Sequence, residues 1–246
     1  MIAVPGTSYV LIADTRDGLI YRFDTKTLQL GVYYDDPILK PGTTTGIVFG
    51  VNGIKLSRGY LYFSNTNQQL VARIRASGRE DILHGTADIV ATQTSIDDLI
   101  VNRYNGDVYL AELGGKALGL VPNGSNSTVP ETLLGGINST ALLAPTSVIW
   151  AKGAEGRTLI VSETGGFEQF VTYNYTGGGR INIIDSLRVT PSSGSRQMDE
   201  VTASHINFCG QIFARNDEGS WVSWVLWIGT ACMSAPFLMF SPNLHN

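Results

Sequence analysis

The sequence predicts an all-β protein built as a β-propeller of about four blades, with a C-terminal tail that does not follow the blade pattern. Three observations predict it. The chain of 246 residues is 43% hydrophobic and carries 28 glycines. Its Thr, Val, Ile and Tyr content favours short strands joined by tight turns. Four related stretches recur along it: YVLIADTRDGLIYRFD, YLYFSNTNQQLVARI, DVYLAELGGKALGLV and TLIVSETGGFEQFVTYN. Each is an apolar strand, a polar turn opened by Asp14, Asn65, Glu112 or Glu163, and a second strand. Those residues lie 51, 47 and 51 positions apart, the period of a four-stranded blade. A helical solenoid would need a 3.6-residue period inside each repeat, and none is present.

Composition excludes several function classes. Charged residues are only 15% of the chain and the net charge is −4, so a nucleic-acid surface is not expected. No G-x-S-x-G elbow occurs, which rejects a serine α/β-hydrolase. His84, His205 and His245 have no metal or triad spacing and read as surface residues. Tyr33, Tyr34 and Trp150 read as packing residues, and Gly177–Gly179 as a loop. With only Cys209 and Cys232, one disulfide and two free thiols both fit.

Ahead of the last three repeats lie shorter strands, VNGIKL, IDDLIVN and PTSVIW. The innermost strand of each blade lines the central channel, so its leading end opens at one mouth. Asn52, Asp97 or Asp98, and Thr146 or Ser147 are therefore expected to converge from three successive blades. A lone Asn-Gly usually marks a hairpin turn; here the repeat favours Asn52–Gly53 as a channel-mouth element instead. Glu112 and Glu163, at the ends of strands, read as solvated turn carboxylates.

The succession VNGIKLSRGYLYFSNT, IDDLIVNRYNGDVYLAE and APTSVIWAKGAEGRTLIVSETGG resembles the senescence-marker-protein/gluconolactonase/luciferin-regenerating-enzyme family, and most of all its fungal members. The likeness covers about residues 5 to 185 and ends at GGGRINIID, read as the last strand of a blade. The resemblance implies a six-bladed propeller that is incomplete here, with about two blades missing upstream. It implies a divalent cation, Ca²⁺ foremost, held at the channel mouth by Asn52 in the family's NG motif and by Asp97. There Asp97 is followed by Asp98 where the family has Gly, and the family's early-blade acidic ligand has no counterpart. Carbonyl and carboxylate oxygens suit such an ion. The ion would polarise the carbonyl of a small-molecule lactone or ester and activate water, with Asp97 as general base. Two other readings stay open: a metal-free propeller orienting reactants for a cycloaddition in fungal secondary metabolism, and a non-catalytic binding propeller or inactive fragment.

Residues 1–190 are accordingly read as blades, and 191–246 as a Ser/Thr-rich linker and apolar tail. The uncharged stretch 220–240 has nearly the length of a membrane span, so it is the one route to a membrane; it also reads as translated intron. Four N-x-S/T sequons, at Asn123, Asn126, Asn138 and Asn174, suit a secreted glycoprotein. The N-terminal residues themselves lack the basic and apolar regions of a signal peptide.

Overall fold

In a computed structural model of the chain, four four-stranded antiparallel sheets follow one another in sequence order. The structure describes residues 1–42, 48–77, 82–165, 179–185 and 202–207. Blade 1 contains β1 (Ile2–Ala3), β2 (Tyr9–Asp14), β3 (Leu19–Asp24) and β4 (Leu30–Tyr34). Blade 2 contains β5 (Val51–Ser57), β6 (Tyr60–Asn65), β7 (Leu70–Ser77) and β8 (Ile82–Thr92). Blade 3 contains β9 (Asp98–Val101), β10 (Val108–Glu112), β11 (Ala117–Val121) and β12 (Glu131–Gly135). Blade 4 contains β13 (Pro145–Trp150), β14 (Leu159–Glu163), β15 (Arg180–Asp185) and β16 (Thr202–Asn207). A 3₁₀ turn, Pro37–Leu39, sits between the first two blades.

The first three repeats are thus the second and third strands of their blades. The fourth supplies the second strand of blade 4, while its second half, residues 166–174, lies outside the described residues. Asp14, Asn65, Glu112 and Glu163 each close a second strand. Two expectations need correction. Arg180–Asp185 is the third strand of its blade, and Thr202–Asn207, inside the stretch read as linker, pairs with it as the fourth. A Ser/Thr-rich composition reads as linker, but β-branched Thr202 and Ile206 also suit a strand at the sheet edge. The tail 220–240, both cysteines and Asn174 lie outside the described residues. Among the described residues no helix is long and apolar enough to cross a membrane.

Alternation along each second strand builds the core. Leu61 and Phe63 of β6 point back to blade 1, while Tyr62 points on to blade 3. Val108 and Leu110 likewise face blade 2, and Tyr109 and Ala111 face blade 4. Because the side-chain period of a strand is two, one apolar strand serves two interfaces, so these second strands read as continuous hydrophobic runs. Among the described residues three cores result, one between each pair of consecutive blades. Trp150 packs edge-on to Tyr109 with ring centroids 5.1 Å apart, and its Nε1–H donates to the Val101 carbonyl at 3.3 Å. Tyr33 and Tyr34 pack against the first core. The packing roles read for these three aromatics hold.

Candidate functional site at the channel mouth

The inner strands of blades 2, 3 and 4 share one irregularity at their leading ends. In β5, Val51 lies opposite Asn65 and Ile54 opposite Phe63, so Asn52 and Gly53 together face Ser64. In blade 3, Asp98 lies opposite Ala111, and the Asp97 N–H donates to the same Ala111 carbonyl at 3.0 Å. In β13, Pro145 lies opposite Glu163 and Ser147 opposite Ser162, leaving Thr146 as the extra residue. Each is a two-against-one bulge, which bends the strand and re-aims its side chains. Ser64, Ala111 and Ser162 immediately precede Asn65, Glu112 and Glu163. The equivalent positions are therefore Asn52, Asp97 and Thr146, followed by Gly53, Asp98 and Ser147.

The first position of each bulge carries the predicted site. Asn52 donates its Nδ2–H to the Asp97 carboxylate and, at 3.3 Å, to the Thr66 hydroxyl. Thr66 in turn donates to the Ile96 carbonyl at 2.9 Å. Two residues 45 positions apart thus meet across the blade 2–blade 3 boundary. Thr146 is not part of that pair: its hydroxyl lies 3.2 Å from the Ser162 hydroxyl.

The second position does different work. Asp98 is buried and receives the Lys55 ammonium at 2.8 and 3.1 Å. It also accepts from the Ser147 hydroxyl at 2.8 Å and more weakly from the Val148 N–H at 3.4 Å. One carboxylate therefore ties blades 2, 3 and 4 together. Successive side chains of a strand point to opposite faces, which separates the mouth residue Asp97 from the clamp residue Asp98.

Gly53 is why the clamp can form. A Cβ there would sit 2.6 Å from Asp98 Oδ1, 2.8 Å from Asp98 Cα and 3.0 Å from the Asp97 carbonyl oxygen. Instead the Gly53 N–H donates to the Asp97 carbonyl at 3.0 Å. It is also shared with the Ser64 hydroxyl at 2.8 Å, which donates onward to that same carbonyl at 2.8 Å. The Asn-Gly pair is a close-approach point between inner strands, not a hairpin turn. The hairpin comes later, at Arg58–Gly59, where both residues have positive φ.

Burial pushes the Asp97 carboxyl up to about 6, and the neighbouring Asp98 charge adds to the shift. The hydrogen bond from Asn52 only partly offsets them. Between pH 3.8 and 6 the folded protein keeps a proton that the unfolded chain releases, so stability falls as pH rises through that window. Asp97→Asn should remove the loss. The variant should gain about 1–3 kcal/mol over wild type at pH 7.5, allowing for solvent screening, and little at pH 4. Urea midpoints at the two pH values check this; parallel curves would contradict it.

Glu112 and Glu163 are buried, contrary to the expectation of solvated turn residues. Glu112 accepts from the Thr94 hydroxyl at 2.9 Å, and burial raises its carboxyl despite that bond. Glu163 accepts from Asn182 Nδ2, from Arg180 at 3.2 Å and from the Leu143 N–H at 2.6 Å. The signal for Glu112 was nearby: Gly119 on the paired strand has room for no side chain, its Cβ position lying 1.9 Å from Glu112 Oε1. Both carboxylates anchor strand ends within a blade.

No family model matches the sequence, and no curated protein matches it either. Solved structures do resemble the fold. A candidate 6-phosphogluconolactonase from Bacteroides uniformis matches 92% of this chain and 68% of its own, at 13% identity and a TM-score of 0.52. A chain of the nidogen/laminin complex matches 72% of this chain at 12% identity and a TM-score of 0.51. This chain spans 57% of that one, little more than half its length. A calcium-binding regucalcin from Agrobacterium tumefaciens is 16% identical over 71% of each chain, with a TM-score of 0.40. The class defined by fold and neighbours is the β-propeller, here of four blades.

Proposed function

We propose that the chain carries the mouth of a lactonase-like propeller, a divalent-metal-dependent hydrolase of a small-molecule lactone or ester. One observation supports this above the rest: equivalent bulges in blades 2 and 3 bring Asn52 and Asp97 together at the leading ends of inner strands. The donor chemistry fits a hard cation such as Ca²⁺, since an amide carbonyl and a carboxylate are oxygen ligands. Asn52 and Asp97 would supply two of them. Among the described residues no group of three or more His, Cys, Asp or Glu side chains gathers, so water and substrate oxygens would complete the set.

When bound, the cation would polarise the scissile carbonyl and acidify a water. Asp97, the carboxylate beside that water, would accept its proton. As the water oxygen bonds to the carbonyl carbon, Asp97 takes the water proton. The ring C–O bond then breaks, and the leaving alkoxide recovers that proton. Asn52 orients the carboxylate, and the clamp of Lys55, Asp98 and Ser147 holds the strand that carries it.

In a panel of five- and six-membered lactones, hydrolysis by the full chain should require Ca²⁺ or Mg²⁺ and stop with EDTA. Asp97→Asn should lower kcat by about 10²–10⁴. Hydrolysis that ignores EDTA would overturn the metal reading. It would favour the metal-free pocket instead, a reading supported by the way the Asn52 amide already satisfies Asp97. Export belongs to the same proposal, with glycans at Asn126 and Asn138, whose side chains are exposed. Asn123 is less suited, because its amide donates to the Asn105 carbonyl at 2.8 Å. An unchanged mobility of secreted protein after glycosidase treatment would count against it.

A further inference from the structure

In blades 2, 3 and 4 the last residue of the second strand grips the segment that leads into the inner strand of the same blade. In blade 2, Asn65 Nδ2 donates to the Ile38 and Lys40 carbonyls at 2.9 and 2.7 Å. In blade 4, Glu163 accepts from the Leu143 N–H. In blade 3, Glu112 accepts from the Thr94 hydroxyl at 2.9 Å, and Thr94 lies three residues ahead of Asp97. The third strand of blade 3 takes no part in this grip. Arg180 and Asn182, which bind the Glu163 carboxylate, lie opposite Glu163 and Val161. Their counterparts opposite Glu112 and Leu110 are Ala117 and Gly119, neither with a polar side chain.

Close packing seals the contact. Gly114 and Gly115 turn over Thr94 and Ser95 with no space for a side chain. A Cβ on Gly114 would lie 2.9 Å from Ser95 Cβ, and one on Gly115 would lie 2.8 Å from Glu112 Oε2. Thr94 and Glu112 are both buried, so water does not readily replace their hydrogen bond once it is broken. Further along, the Gly114 N–H donates to the Ser95 carbonyl at 3.3 Å, and the Thr66 hydroxyl to the Ile96 carbonyl at 2.9 Å. The segment Thr94–Asp97 is thus pinned residue by residue, with Glu112 on its first side chain and Asn52 on its last.

We propose that Glu112 is a positioning residue for Asp97, acting through Thr94 to fix the segment that delivers the carboxylate to the channel mouth. What Asp97 does there rests on the function proposed above; how it is held does not. The route is short. From Thr94 the chain passes through the buried Ile96 to Asp97, whose N–H is bound to the carbonyl of Ala111, the residue before Glu112. Releasing Thr94 frees the start of the segment to swing, which draws the Asp97 carbonyl away from the Gly53 N–H. The repeat favours this role over a passive cap. Three successive blades set a hydrogen-bonding side chain at the same strand end against the same incoming segment.

Amide hydrogen exchange followed by NMR on the full chain tests this without metal or substrate. Thr94→Val keeps the side chain's shape and deletes its hydroxyl. In that variant the Asp97 and Gly53 N–H groups should exchange about tenfold faster, the effect of one lost buried hydrogen bond. Amides between β10 and β11 should keep their wild-type rates. Glu112→Ala should reproduce the change, and combining it with Thr94→Val should add nothing. Glu112→Gln, whose amide oxygen still accepts from Thr94, should restore most of the protection. Thr94→Val and Glu112→Gln carry the test even if Glu112→Ala does not fold. Wild-type rates at Asp97 and Gly53 in Thr94→Val, or an equal rise throughout blade 3, would overturn the proposal. Ca²⁺ titration of the same proteins extends it to the site, where Thr94→Val should bind about tenfold more weakly and Glu112→Gln normally. An affinity unchanged in Thr94→Val would also overturn the proposal. Absence of Ca²⁺ heats in the wild type would overturn the metal reading instead, and the exchange rates would then decide the role of Glu112.

Discussion

Glu163→Ala is expected to lower the stability of blade 4 by about 3–5 kcal/mol, the cost of removing one partner from a buried, charged hydrogen-bond network. Glu163 is 4% exposed and holds Asn182, Arg180 and the Leu143 backbone at once. Asn182 is completely buried, so its amide would lose a partner that water cannot easily replace. The network also joins β14 to β15 and to the segment leading into β13. For a chain of this size the loss corresponds to roughly 6–20 °C in Tm. Glu163→Gln should recover part of it, because its one amide oxygen can still accept on one side, from Asn182 or from Leu143, which donate to different oxygens of the carboxylate. Thermal melts of the three proteins check this; a change below 2 °C for Glu163→Ala would contradict it.

Gly53→Ala should be nearly as costly, by about 2–4 kcal/mol, and should reach the site more directly. The added methyl meets Asp98 Cα and the Asp97 carbonyl, which are backbone atoms that move only with β9. Any shift of β9 separates Asn52 from Asp97 and loosens the Lys55–Asp98 ion pair. The expected result is a lowered urea midpoint together with lost site function. Asn52→Ala, by contrast, should leave stability within about 1 kcal/mol, because it removes partly exposed hydrogen bonds. Equal stability of Gly53→Ala and wild type would show that the inner strands do not approach as described.

The fold was legible because its signal is periodic. Four strand–turn–strand units at near-constant spacing specify blades before any contact is known, and all four predicted turn-opening residues close second strands. The pairing of Asn52 with Asp97 was legible on the same ground, since inner strands in consecutive blades must lie side by side. The choice between Asp97 and Asp98 was not. It depends on a bulge, and a bulge is a property of two paired strands rather than of either alone. Burial of Glu112 and Glu163 was hidden for a similar reason. An acidic residue before Leu-Gly-Gly or Thr-Gly-Gly reads as a solvated turn, while Arg180 and Asn182 lie 17 and 19 residues beyond Glu163. Thr202–Asn207 was missed because it is separated from its partner strand by residues 186–201, whose Ser and Thr content resembles a linker.

The measurement closest to the central claim is calorimetric titration of Ca²⁺ into the full chain at pH 7.5, alongside Asn52→Ala and Asp97→Asn. The account predicts a one-site isotherm for wild type. Affinity should fall at least tenfold for Asn52→Ala and further for Asp97→Asn, which also removes the charge that offsets the cation. Heats that are absent in wild type, or affinities unchanged in both variants, would contradict a cation held between these two residues.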